Sequence, residues 1–146
     1  MQADHPLIEY PRALSIRAPW WWFILYGGKD IENREWSTPY RGPILIHASS
    51  WHRQAFVERE LCVAKQIAAI AGDEAPEFDA GKPHVLGGAF VGTADLVDVV
   101  TSHKSPWFTG SYGFVLRNVR PIDDPIYAPG ALGLFDPSRV IRQAAK

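Results

Sequence analysis

The 146-residue chain has one cysteine, Cys62, and one methionine, Met1. A lone cysteine excludes an internal disulfide, and a single thiol fits a reducing compartment. The histidines His5, His47, His52, His84 and His103 show no paired ligand spacing with Cys62 or with one another. That argues against a zinc site, and no cofactor is expected. No apolar run approaches the roughly 20 residues of a membrane span. The opening stretch MQADHPLIEY lacks the basic-then-apolar pattern of a secretory leader. The expectation is a soluble, cytoplasmic protein. An excess of either charge is also missing, since 15 Lys and Arg oppose 16 Asp and Glu. This excludes a broad basic coat for nucleic acid but leaves room for a local basic cleft.

Apolar residues make up 47% and charged residues 21%, which is ordinary for a globular chain. The length suits a single domain over residues 1–146, with a core spanning about 12–136, and no linker or repeat divides it. Six Trp, five Tyr and seven Phe supply large core rings, with some available to stack on a flat ligand.

RALSIR alternates as a strand, with Leu14 and Ile16 on one side and Ser15 and Arg17 on the other. In APWWWFILYGG, Pro19 suits the first turn of a helix and Gly27 or Gly28 its end. Consecutive residues of a helix lie about 100° apart, so Trp20, Trp21 and Trp22 cannot share one face. At least one of these rings is expected at solvent, a cleft or a partner. DIENREW alternates again and places Asp30, Glu32, Arg34 and Trp36 opposite Ile31, Asn33 and Glu35. PYRGPILIHAS reads as a turn at Arg41, Gly42 and Pro43 followed by a strand from Ile44 to Ala48. The next 20 or so residues form the clearest helix, started by Ser49 or Ser50 and stopped by Gly72. Its apolar stripe runs through Val57, Leu61, Ala64, Ala68 and Ala71.

GDEAPEFDAGKPHV and SHKSPWFTGS read as loops. LGGAFVGTADLVDVV reads as a strand kinked or bulged at its glycines, and YGFVLRNVRPI as another strand. A turn, a short extended piece and a helix begun at Asp136 and Pro137 complete the chain. Several short strands with two or three helices make an α+β fold, with the strands curled into a small barrel.

The segment LSIRAPWWWFILYGGKDIENREWSTPYRGPILIHAS resembles the signature half of the ASCH domain, a branch of the PUA-like superfamily. SPWFTGSYGFVL and PGALGLFD are similar to its second half, so the resemblance runs from about Leu14 to Phe135. It implies a small PUA-like β-barrel flanked by helices, with a cleft where the Lys, Glu and Arg segment meets the barrel mouth. The family is generally regarded as RNA-binding. Some members are amidohydrolases acting on N4-acetylcytidine, in which a Lys and a Thr of a KTITIR stretch act with a distal Glu. Lys29 falls on that Lys and Arg34 on that Arg, while the Thr position holds Glu32, a departure from the pattern.

Lys29 follows a Gly-Gly helix end, where it can serve the helix terminus, clamp a phosphate or act through a labile proton. Glu32 and Arg34 stand two apart on a strand and share a face. They are either a solvated charged surface or readers of a base edge, with Glu32 accepting from an exocyclic amine and Arg34 donating to ring acceptors. Arg17 either pairs with Glu32 or contacts phosphate, and Ser15 lies beside it. Tyr40 is a core ring or, with Trp20, a stacking surface, and Arg41 on its turn suits a phosphate. His47 ends an apolar strand as a hydrogen-bonded rim residue or a catalyst. Ser111 and Tyr112, in GSYGF, are candidates for the rim.

Three functions follow. One is a module that binds RNA or a modified nucleoside through a cleft for a single base. A second is an enzyme on the same cleft, an amidohydrolase on N4-acylated cytidine or a ribonuclease, with Lys29 and Glu32 as its catalytic pair. A third is an adaptor whose protein partner docks on Trp21 and Trp22.

Overall fold

The computed structural model describes residues 9–49, 54–73, 77–78 and 87–144. The alternating RALSI segment forms β1 (Arg12–Ile16), and α1 (Trp20–Tyr26) begins directly after Pro19. Then come β2 (Ile31–Arg34), β3 (Gly42–Ala48), α2 (Gln54–Ala71), β4 (Ala89–Val100), β5 (Tyr112–Tyr127), β6 (Leu134–Phe135) and α3 (Pro137–Ala144). Ser50, part of the GDEAPEFDAGKPHV stretch, and His5, His52 and His84 lie outside the described residues. The Asp136 carboxylate caps α3 by accepting from the Ser138 backbone N–H at 3.0 Å and its hydroxyl at 2.8 Å. Among the described residues no helix is long and apolar enough to cross a membrane.

The six strands form one mixed sheet in the order β2-β5-β4-β3-β1-β6. β1 and β3 run parallel, and the other neighbours are antiparallel. The expected small barrel is therefore a curled, open sheet, because no strand pairing joins its two ends among the described residues. Curvature comes from the long β4–β5 hairpin, whose register shifts at three places, the first between Phe90 and Gly92. Each shift leaves one strand with more residues than its partner, which bends and twists it. β5 also runs past Ile122 to Tyr127, farther than its two prolines suggest, because β4 pairs with it again at Ile126 and Tyr127 through Phe90 and Ala89. Asn118 takes a φ of 52° within it, a conformation asparagine tolerates, and donates its side-chain amide to Asp95 at 2.8 Å.

The central strands are covered on both faces. Leu14, Ile16, Ile44 and Ile46 point into the main core under α1 and α2, while Ala13 and Leu45 face a smaller core with Phe90, Phe135 and Val140 of α3. This explains why β3 reads as a continuous apolar run, since a strand buried on both sides has no polar face. Val57, Ala64 and Ala68 of the α2 stripe are buried, with Leu61 packed at their edge.

Trp21 and Trp22 depart from the idea of an exposed tryptophan cluster. They are 4% and 7% exposed, and Trp22 packs edge-on against Phe23 and Phe78 at 5.1 and 5.5 Å between ring centres. A seven-residue helix wedged against the sheet buries more than one stripe, and these rings keep little surface for a protein partner. Trp20 is the ring left half-buried.

Candidate functional site

The end of α1 sets the first charged group. The backbone N–H groups of Gly27 and Lys29 both donate to the Phe23 carbonyl, at 2.9 and 3.1 Å. Between them Gly28 adopts a φ of 72°, and a Cβ there would lie 2.4 Å from the Asp73 carboxylate. Glycine is needed for this left-handed helix stop. It turns Lys29 inward, where only 2% of the residue is exposed. The ammonium donates to the Ile31 carbonyl, lies 3.4 Å from Glu32 Oε1 and stands 5.7 Å from the centre of the Trp20 ring. Burial pushes the Lys29 ammonium below the ordinary lysine range, and the Glu32 carboxylate opposes that shift.

β2 supplies the rest of the row. Glu32 is 7% exposed, and its second oxygen, Oε2, meets Arg34 Nη2 at 3.0 Å. The same Nη2 donates to the Ser15 backbone carbonyl at 2.6 Å. β2 lies at one edge of the sheet and β1 next to the other, so this side-chain bond draws the two ends of the curled sheet together. The guanidinium stands in for the missing strand pairing. The result is a continuous chain of contacts from an ammonium through a carboxylate to a guanidinium.

Asn33 of β2 and the residues flanking the strand serve another purpose. The Asn33 amide donates to the Trp107 carbonyl and accepts from the Thr109 N–H, both at 2.9 Å. Asp30 accepts from the Ser105 hydroxyl at 2.7 Å, and Glu35 accepts from the Ser111 hydroxyl at 3.0 Å. These bonds fasten the 101–111 loop against the strand and bring Trp107 to the cleft wall. Asp30 thus leaves the row in which alternation placed it, because the loop captures its carboxylate.

The row lies in a cleft of about 550 Å³ lined by Ser15, Arg17, Trp20, Lys29, Glu32 and Arg34. Glu60, Val63 and Ile67 of α2, together with Trp36 and Trp107, complete the walls. Trp36 is held edge-on against Phe114 at 5.1 Å, and the buried Trp107 indole N–H has no partner among the described residues. Arg17 is exposed and its guanidinium stacks over Phe56 at 4.9 Å, so it does not pair with Glu32.

An adjoining chamber of about 620 Å³ shares Ser15, Arg17 and Arg34 with the cleft and adds His47, Ser49 and the 130–133 loop. His47 faces Ser15 across the parallel β1–β3 pair. Its Nε2 lies 2.7 Å from the Ala128 carbonyl, which can only accept, so Nε2 carries the proton and Nδ1 accepts from the Ser15 hydroxyl at 3.2 Å. Burial lowers the His47 pKa from its usual value, against the opposing effect of the Ala128 bond, and the ring is neutral at pH 7.

A model of the ASCH domain family matches residues 14–111. The chain belongs to the ASCH domain family. The matched span runs from within β1 through α1, β2 and β3 and includes Ser15, Arg17, Lys29, Glu32, Arg34 and His47. No curated protein matches the chain.

Four candidates of this ASCH domain lie away from the cleft. The Tyr40 hydroxyl donates to the Pro43 carbonyl at 2.7 Å, with its ring beside Arg12. Arg41 donates to the Thr38 and Tyr40 carbonyls at 2.8 and 2.9 Å and lies 3.6 Å from Asp98. Both therefore hold the turn before β3. Ser111 is committed to Glu35, and Tyr112 pairs with Arg34 along the backbone of β5 outside the lining. Conversely, Glu60 and Trp107 line the cleft although no local pattern marked them, because helix and loop packing bring them there, and Trp36 joins them from the face on which alternation placed it. Among the described residues no group of three His, Cys, Asp or Glu side chains is arranged to hold a metal ion.

Proposed function

We propose that this ASCH domain binds RNA by receiving one base in the cleft of Lys29, Glu32 and Arg34, with preference for a base that carries an exocyclic amine. The observation behind this reading is the buried carboxylate of Glu32 set between two donors. Each of its oxygens is engaged once, by Lys29 or by Arg34, and a carboxylate oxygen has a second acceptor site. The cleft thus offers an acceptor flanked by donors. A cytosine edge presents the complement, an amino donor beside ring and carbonyl acceptors. Trp20, Trp36 and Trp107 supply aromatic walls for a flat ligand, in a space of about 550 Å³.

Calorimetric titration of cytidine and uridine into the wild type and Glu32→Gln tests the reading. A hydrogen bond to a charged group contributes roughly 1.5–3 kcal/mol, so cytidine should bind about tenfold or more tighter than uridine. Glu32→Gln should erase that ratio while circular dichroism shows a folded domain. Equal affinities for the two nucleosides in the wild type would overturn the proposal.

A second reading rests on Lys29. A desolvated amine with a lowered pKa has a larger neutral fraction and can act as a base or nucleophile. An amidohydrolase would release acetate from N4-acetylcytidine and lose that activity in Lys29→Met. Titration without acetate release assigns the site to binding alone.

A further inference from the structure

The two chambers differ in charge. All the carboxylates that border this space, those of Glu32, Glu35 and Glu60, line the first chamber. The second is lined by Ser15, Arg17, Arg34, His47, Ser49 and the 130–133 loop, with no acidic residue among the described ones. His47 there is neutral, and its two nitrogens are occupied by Ala128 and Ser15. The charged groups lining the second chamber are therefore Arg17 and Arg34 on its shared wall, the latter paired with Glu32.

Both guanidiniums have unused donors. Among the described residues Arg17 has no carboxylate partner and only a ring contact with Phe56, which holds the guanidinium plane while leaving its N–H groups free. Arg34 makes its bonds to Glu32 and Ser15 through Nη2 alone, which leaves Nη1. Arg17, with no acid partner among the described residues, and the Nη1 of Arg34, whose Nη2 is held by Glu32, form an anion site, and planar guanidinium forks match phosphate oxygens.

We infer that the second chamber is a phosphate subsite, filled by the phosphate attached to the nucleoside whose base enters the first. This rests on the base-binding reading of the first chamber and deepens it, since the ligand becomes a nucleotide or a nucleotide unit of a strand. Ser15, Arg17 and Arg34 border both chambers, so one ligand can span them without leaving the groove. A net charge of −1 is compatible with this site, because no described carboxylate lines the second chamber.

The test titrates cytidine, cytidine 5′-monophosphate, ribose 5-phosphate and the trinucleotide UCU into the wild type, Arg17→Gln and Arg17→Lys. Arg17 is exposed, and its replacement leaves the contacts of Lys29, Glu32 and Arg34 in place. The monophosphate or the trinucleotide should bind about tenfold or more tighter than cytidine. Arg17→Gln should lower the affinity for the phosphorylated ligands by a larger factor than the affinity for cytidine, and so remove most of that gain, and Arg17→Lys should restore part of it. A gain confined to the monophosphate assigns the subsite to a terminal phosphate, and a gain for the trinucleotide assigns it to a strand. If cytidine binds but phosphate adds nothing, or if Arg17→Gln leaves the gain intact, the subsite is refuted and the base reading stands. If ribose 5-phosphate binds in an Arg17-dependent manner and cytidine does not bind, the subsite stands and the base reading falls. Binding by none of the four overturns both.

Discussion

Replacing Glu32 by glutamine removes the charge that holds Lys29 and Arg34 together while keeping the shape of the side chain. The two contacts are 3.4 and 3.0 Å long, and the side chains of Lys29 and Glu32 are 2% and 9% exposed. Breaking a buried pair costs about 3–5 kcal/mol, because a charge is left without compensation. Two effects reduce this here: the amide can still hydrogen-bond, and Lys29 can release its proton. A loss of about 2–4 kcal/mol is expected, against about 0.2–1 kcal/mol for an exposed pair. For a domain of this size that lowers Tm by roughly 6–12 °C. The deficit should narrow as pH rises toward about 10.4, since the unfolded lysine then binds more protons than the native one. The double variant Lys29→Met, Glu32→Gln removes the stranded ammonium and should regain at least about 1 kcal/mol over Glu32→Gln alone. Urea unfolding at several pH values measures all of this. A single-variant cost below about 0.5 kcal/mol, or a double variant less stable than the single, would refute the buried row.

His47 makes stability fall on the acid side. Its folded pKa lies below its usual value, so the unfolded state binds the proton first as pH drops past about 6.5, and stability is lost from there downward by up to about 1.4 kcal/mol per pH unit. His47→Gln should flatten this limb between about pH 5 and 6.5, and an unchanged urea-midpoint profile would refute the assignment. Gly130→Ala should cost about 1–3 kcal/mol, because its Cβ would lie 2.3 Å from Ser15 Oγ and 2.8 Å from the His47 ring; a neutral effect would show that the loop is not seated there. Trp22→Ala should cost about 3–5 kcal/mol in urea unfolding, as for a core ring. A loss under about 1 kcal/mol would instead mark the ring as surface.

Local patterning carried much of this protein. Alternation located β1 and β2, the Gly-Gly pair located the end of α1, and the four-three spacing of Val57, Leu61, Ala64 and Ala68 located the buried face of α2. These signals are local because a strand or helix repeats its direction every few residues. The same alternation placed Glu32 and Arg34 on one face, and the ASCH resemblance drew attention to Lys29 beside them. What alternation could not show is whether that face meets solvent. Identical side chains on an exposed strand would be an ordinary charged surface.

Tertiary structure decided the rest. It turned Asp30 and Glu35 to the 101–111 loop, fixed Tyr40 and Arg41 to their own turn, and buried Trp21 and Trp22. It brought Glu60 and Trp107 to the cleft and left the sheet open where a barrel was expected. The sequence by itself determined which side chains lie near one another within a single element. Only the curl of the sheet, which lets the Arg34 guanidinium of the edge strand β2 reach the Ser15 carbonyl on β1 at 2.6 Å, made a hollow of the charged strand. That curl arises from register shifts and packing between residues far apart in the chain, and no short window of sequence contains them.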